Sequence, residues 1–118
     1  MRTIPPIVVF VLLVLSQGCY YDNEERLYPN SFCDTTAVTY ATKVVPIIQG
    51  NCAIPGCHVA GGTGPGDFTT YTGVKAKVDN GTFRSVTIVN KSMPPSGPLS
   101  ACEQQQLETW LNAGAPNN

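Results

Sequence analysis

The chain has 118 residues, of which 42% are hydrophobic and 13% are charged, so it is not an acidic disordered chain. Seven Lys and Arg residues against eight Asp and Glu residues leave a formal charge of −1, and no basic stripe is available to bind phosphates. Composition and charge therefore predict one small domain that does not bind nucleic acid. The chain is rich in Gly (11) and Pro (10), so we expect a disulfide, a metal or a prosthetic group to supplement a small core.

The first 18 residues have the pattern of a lipoprotein-type signal peptide. A positive charge at Arg2 precedes a nine-residue apolar run at 7–15, which is too short to cross a bilayer as a helix. Small residues then lead to Cys19. Lipoprotein signals usually have a leucine three residues before this cysteine, whereas here Ser16 holds that position and Leu15 lies one residue earlier. We expect cleavage before Cys19 and lipidation of its thiol. A plain secretory signal that leaves Cys19 unmodified is the alternative.

Residues 19–32 are polar and acidic without periodicity, and they predict a flexible tether between the lipid and a domain at 33–118. The expected location is the bacterial cell envelope, at the periplasm or the cell surface, with the protein anchored to a membrane by its lipid. Such a compartment permits disulfides.

The first predicted helix runs from about Thr39 to Gln49, with Thr39 as its cap and Pro46 as a kink or a break. It leads directly to Cys52, Cys57 and His58, the last of which is the only histidine in the chain.

Two neighbouring cysteines followed by a histidine are the pattern of covalent haem attachment. The two thiols reach two vinyl groups on one porphyrin edge, and the adjacent histidine becomes the proximal iron ligand. Four residues separate Cys52 from Cys57, where the common motif has two, and Pro55-Gly56 can turn this longer loop. A Cys52–Cys57 disulfide beside an idle His58 is the alternative. A zinc site is disfavoured because the chain lacks further histidines.

The stretch 59–67 contains four glycines and is predicted to be a loop that packs closely around the haem edge. A second helix is predicted over Thr70–Asp79, with Gly81 beyond its end. A short helical or extended piece should follow, carrying Phe83, Val86 and Ile88.

Met93 is the only methionine that remains after signal removal, and it is followed by Pro94-Pro95. Prolines hold such a loop stiffly, so Met93 is a candidate for the sixth iron ligand; filling a gap in the loop is the alternative. Arg84 and Lys91 are candidates to contact haem propionates, and solvated surface charges are the equally weighted alternative.

The last predicted helix begins with a capping box of Ser100 and Glu103, buries Leu107, Trp110 and Leu111, and ends at Gly114. Cys102 lies in its first turn. If the inner cysteine pair takes haem and Cys19 takes lipid, Cys33 and Cys102 remain to form a disulfide.

These features together resemble the class I cytochrome c fold, and more narrowly the small cytochrome c-like lipoproteins of Bacteroidetes-type bacteria. The segments that carry the resemblance are Tyr-Pro-Asn-Ser-Phe-Cys-Asp (28–34), Val-Val-Pro-Ile-Ile-Gln-Gly-Asn-Cys (44–52), Gly-Cys-His (56–58), Met-Pro-Pro (93–95) and Trp-Leu-Asn-Ala-Gly-Ala-Pro (110–116). The resemblance implies an all-α fold of three to five helices around one haem c, held covalently by Cys52 and Cys57. It also implies His58 and Met93 as axial ligands.

The function expected from this reading is electron transfer between redox partner proteins by a monomer, with no catalytic residues. Two alternatives remain open. One is a haem sensor or haem enzyme, which would need a labile sixth ligand. The other is a haem-free surface lipoprotein, braced by two disulfides, that acts as a binding module.

Overall fold

The computed structural model describes residues 33–118, which form four α-helices, and no β-strand occurs among these residues. The all-α class predicted from the sequence is therefore correct. The predicted signal peptide (1–18), the tether (19–32) and the lipidation at Cys19 lie outside the described residues. Within residues 33–118, no helix is both long enough and apolar enough to cross a membrane.

The first helical segment is a π-helical turn at Tyr40–Val44 that continues into helix α1 at Val45–Asn51. Thr39 caps it, because its side-chain oxygen accepts a hydrogen bond from the Thr42 N–H at 3.1 Å. Pro46 lies at the start of α1, where the hydrogen-bond pattern changes from π to α and the missing proline N–H is accommodated. The helix predicted over 39–49 is correctly placed, and the observed helix ends two residues later, at Asn51.

Helix α2 spans Tyr71–Asp79 and is capped by Thr70, whose side chain accepts a hydrogen bond from the Gly73 N–H at 3.1 Å. A short helix α3 at Thr82–Arg84 then passes into a second π-helical turn at Ser85–Val89. The sequence left open whether this stretch is helical or extended, and in the structure it is helical.

Helix α4 spans Ala101–Asn112 and begins with the predicted capping box. The Ser100 side chain accepts from the Glu103 N–H at 3.3 Å, and the Glu103 carboxylate accepts from the Ser100 N–H at 2.9 Å. Leu107 and Trp110 are buried as predicted, whereas Leu111 is half-buried. Beyond the helix, Gly114 adopts the left-handed conformation (φ 89°) that commonly ends helices.

Trp110 lies at the centre of the core and is fully buried. Its ring centroid is 5.6 Å from that of Tyr40, and Tyr40 in turn makes an edge-on contact with Tyr71 at 4.9 Å. The Trp110 indole donates to the Pro116 carbonyl at 2.8 Å, so the segment after α4 is held against the core. The core therefore joins the first helical segment, α2 and α4, and leaves the loops between them to shape the site.

A disulfide joins Cys33 to Cys102, with the two Cα atoms 5.2 Å apart. This is the pairing predicted from the sequence. It ties the beginning of the described region to the first turn of α4. Helix α4 packs against both π-helical turns.

Candidate functional site

A cavity of about 440 Å³ lies between the loop after α1, the α2–α3 region and the Met93 loop. Its volume falls in the range of small-molecule and cofactor sites. Aromatic, aliphatic and proline side chains supply much of its wall, including Phe68, Phe83, Val86 and Pro94. The cavity therefore suits a ligand with a large apolar body.

All four residues predicted to hold haem line this cavity: Cys52, Cys57, His58 and Met93. The first three follow α1 directly, whereas Met93 comes from a loop 35 positions beyond His58. The fold thus brings together two segments that are distant in the sequence.

Cys52 ends α1, where its N–H donates to the Ile48 carbonyl at 2.8 Å and its side chain is 7% exposed. Cys57 is half-buried, and both cysteines are free thiols in the structure. Burial raises the pKa of the Cys52 thiol to about 11, with smaller contributions from Cys57 and Glu103. Cys52 is therefore a neutral thiol near neutral pH, unlike the low-pKa cysteines that act as nucleophiles.

His58 is oriented by a backbone carbonyl and by an aromatic ring. Its Nδ1 atom lies 3.3 Å from the Pro65 carbonyl oxygen, which can only accept a hydrogen bond. This contact assigns the proton to Nδ1 and leaves the Nε2 lone pair available for a metal. The imidazole also stacks on the Phe68 ring, with centroids 4.3 Å apart and planes inclined by 7°.

The glycine-rich loop folds back onto the Cys-His segment at very short range. A Cβ atom on Gly62 would lie 2.0 Å from the Cys57 carbonyl oxygen, and one on Gly64 would lie 2.8 Å from His58 Nδ1. The Gly64 N–H donates to the Cys57 carbonyl at 3.2 Å. The absence of side chains at Gly62 and Gly64 is therefore what allows the loop to lie this close to Cys57 and His58.

Met93 is half-buried on the loop that follows the second π-helical turn. Its N–H donates to the Val86 carbonyl at 3.1 Å, which anchors the loop to that turn. Pro94, the next residue, is buried and also lines the cavity. The thioether is consequently held at the cavity by both a backbone hydrogen bond and a packed proline.

The two basic residues predicted to contact propionates are not among the residues that line the cavity. The Arg84 guanidinium points to α4, where it contacts Glu108 at 3.4 Å and Asn112 at 2.6 Å. Lys91 is exposed, with a left-handed backbone (φ 52°). The basic residue that does line the cavity is Lys77.

Sequence reasoning did not single out Phe68 or Lys77 as site residues. Phe68 follows a glycine-rich loop in isolation, so no periodicity marks it as buried. Lys77 lies three residues after Val74 on α2, and that helical spacing was the available signal that it shares the apolar side of the helix.

In the part of the chain that the structure describes, no three His, Cys, Asp or Glu side chains come together as ligands for a metal ion. Comparisons of the chain with models of protein families, with curated proteins and with solved structures found no match.

Proposed function

We propose that this protein is a single-haem electron-transfer protein of the cytochrome c-like class, with haem c attached covalently through Cys52 and Cys57. His58 and Met93 are the proposed axial ligands. One observation carries the proposal: these four side chains, drawn from two distant segments, line one largely apolar cavity. The apolar lining of the cavity and the chemistry of these four residues therefore both support the proposal.

The two cysteines fit thioether formation. Addition of each S–H across a porphyrin vinyl group transfers the thiol hydrogen to carbon and leaves an uncharged sulfur. An uncharged product suits the Cys52 environment, in which burial disfavours a thiolate. Both thiols are free to react, since the disulfide uses Cys33 and Cys102 instead.

The histidine and the methionine fit axial ligation. The contact between His58 Nδ1 and the Pro65 carbonyl leaves Nε2 as the metal-binding nitrogen. His58 and Met93 would hold the iron of a bound haem, which would supply one-electron chemistry, and this pair of ligands would raise its reduction potential. The role of the polypeptide is to bury the porphyrin ring and to position the two iron ligands, so no catalytic residue is proposed.

The proposed cellular setting follows the sequence. Redox partner proteins are the expected partners, and a lipid on Cys19 would anchor the protein in the cell envelope. The protein is expected to work as a monomer.

The first test is covalent attachment. We would express residues 19–118 behind a signal peptide, together with a haem-maturation system that accepts a four-residue spacer, and record the absorption spectrum after denaturation and extraction of free haem. A retained c-type spectrum is the expected result. A colourless protein under these conditions would contradict the proposal and favour the haem-free binding module.

Five variants separate the roles of the individual residues. Cys52→Ala and Cys57→Ala should each lose one thioether, and the double variant should lose all haem on extraction. The matched control, Cys33→Ala with Cys102→Ala, removes the same number of cysteines and should keep its haem. Met93→Ala should bind carbon monoxide in the reduced state. Binding of carbon monoxide by the unmodified protein would instead indicate a sensor or an enzyme with a labile sixth site.

A further inference from the structure

Lys77 stands apart from the other basic residues of the described region. Lys43 pairs with Asp34 at 3.8 Å, Arg84 pairs with Glu108 at 3.4 Å, and Lys75 pairs with Asp79 on its own helix. Within residues 33–118, Lys77 and Lys91 have no ion pair, and only Lys77 lines the cavity.

The cavity wall around Lys77 contains no compensating charge. Among the described residues that line the cavity, none is Asp, Glu or Arg, and Lys77 is the only lysine. Two buried apolar side chains, Phe68 and Phe83, line the same cavity. Lys77 is half-buried, and the cavity wall offers its ammonium no anionic side chain, so a counter-charge would have to come from the ligand of the cavity.

The side chain of Lys77 lies close to the glycine-rich loop at Gly66. A Cβ atom added to Gly66 would lie 3.3 Å from Lys77 Cε and 3.3 Å from Phe68 Cε1. The lysine stem and the Phe68 ring therefore both approach this glycine. Phe68 also stacks on His58, the proposed iron ligand.

We propose that Lys77 binds a carboxylate of the cavity's ligand, which, on the proposed function above, is a haem propionate. The ligand class that the cavity selects is then a large apolar body that carries a carboxylate. This inference rests on the proposed function and assigns the role to Lys77, in place of Arg84 and Lys91.

A cation at this position has a measurable electrostatic consequence. Oxidation of the iron adds one positive charge to the haem, and a nearby ammonium disfavours that change. Lys77 therefore stabilises the reduced state, and neutralising it should lower the midpoint potential. A charge interaction of a half-buried group predicts a change of about two- to fivefold in the ratio of reduced to oxidised protein at a fixed potential.

The experiment is a spectroelectrochemical titration of the haem-loaded protein and its variants. Lys77→Gln and Lys77→Met remove the charge, and the second keeps an unbranched apolar stem, so that at least one folded neutral variant is available. Both should titrate at a lower potential. Lys77→Arg keeps the charge and should titrate close to the unmodified protein.

Lys75→Gln is the matched control, since it removes the same charge from the same helix at a position that does not line the cavity. A smaller shift in Lys75→Gln than in Lys77→Gln supports the proposal. Equal shifts, or an unchanged potential in both neutral Lys77 variants that retain covalent haem, would overturn it while leaving the proposed function intact. Absence of covalent haem from the unmodified protein would overturn both.

Discussion

At the scale of single residues, the thiol of Cys52 has a pKa far above its ordinary value. Burial is the main reason that its pKa rises to about 11 from an ordinary value of 9.0. Since only the thiolate is reactive, the folded haem-free protein should alkylate slowly at this position.

We expect site-resolved alkylation of Cys52 by iodoacetamide at pH 8 to be about 100-fold slower in the folded than in the urea-denatured haem-free protein. The rate should level off near pH 11 in the folded state. Because the folded-state pKa lies above the ordinary value, the contribution of this thiol to stability is complete below pH 9 and is lost as the pH rises through 11. A rate that levels off near pH 9 would show that the thiol is not buried as described.

The position of His58 is sensitive to substitutions in the glycine-rich loop. A methyl group at position 64 would lie 2.8 to 3.0 Å from three atoms of the imidazole, which is already held by Phe68 and the Pro65 carbonyl. Gly64→Ala should therefore displace the ring and lower the free energy of unfolding by about 1–3 kcal/mol. Urea denaturation of the variant measures this loss.

Gly50→Ala is the matched control for that substitution. A Cβ atom at position 50 would have no neighbour within 4 Å, and the residue is exposed in α1. This variant should be stabilised by about 0.5–1 kcal/mol, since alanine loses less backbone entropy in a helix. Equal effects of the two substitutions would contradict the close packing of the loop on His58.

At the scale of elements, the side chain that caps α4 also contacts a residue of the cavity wall. Glu103 accepts from the Ser100 N–H and also from the side-chain amide of Asn51 at 3.0 Å, and Asn51 lines the cavity. Burial opposes ionisation of Glu103, but these hydrogen bonds outweigh it and lower the pKa of the carboxyl group. The cap therefore joins α4 to the end of α1.

Ser100→Ala should reduce the free energy of unfolding by about 1 kcal/mol, because the Glu103 N–H loses its acceptor. Ser92→Ala, at an exposed position outside any helix, is the control and should change stability by less than about 0.5 kcal/mol. Chemical denaturation of both variants at pH 7 compares them.

The lowered pKa of Glu103 also gives a pH dependence with a definite sign. Its contribution to stability is present above the ordinary glutamate value of 4.5 and is lost as the pH falls through the lower folded-state pKa. Glu103→Gln preserves a capping residue but removes the titration. Acid unfolding curves below pH 4.5 should therefore be less steep for this variant than for the unmodified protein.

At the scale of the whole molecule, the disulfide closes a loop that contains most of the described region. The sequence separation between Cys33 and Cys102 is 69 residues. Removing such a crosslink should destabilise the protein by about 4 kcal/mol on the chain-entropy account.

The double variant Cys33→Ser with Cys102→Ser, compared by thermal unfolding with the unmodified protein, measures this contribution. The melting temperature should fall substantially, while Cys52 and Cys57 remain available for haem. An unchanged melting temperature in the haem-free form would mean that the crosslink constrains little.

Much of this architecture could be predicted from the residues alone. The caps at Thr70 and Ser100 depend on side chains within one turn of the backbone groups they bind, so local sequence is sufficient. The Cys33–Cys102 pairing followed from the number and roles of the cysteines. The grouping of Cys52, Cys57 and His58 followed from their adjacency.

Only the tertiary structure decided which side chains surround these residues. Arg84 and Lys77 are both basic residues near the ends of neighbouring helices, yet α4 offers Glu108 to Arg84 while the cavity receives Lys77. The stacking of Phe68 on His58 and the contact from the Pro65 carbonyl depend equally on how a glycine-rich loop folds back. Local sequence determines caps and short motifs because their partners are near in the chain. The wall of a cavity depends on packing between distant segments, which no local pattern encodes.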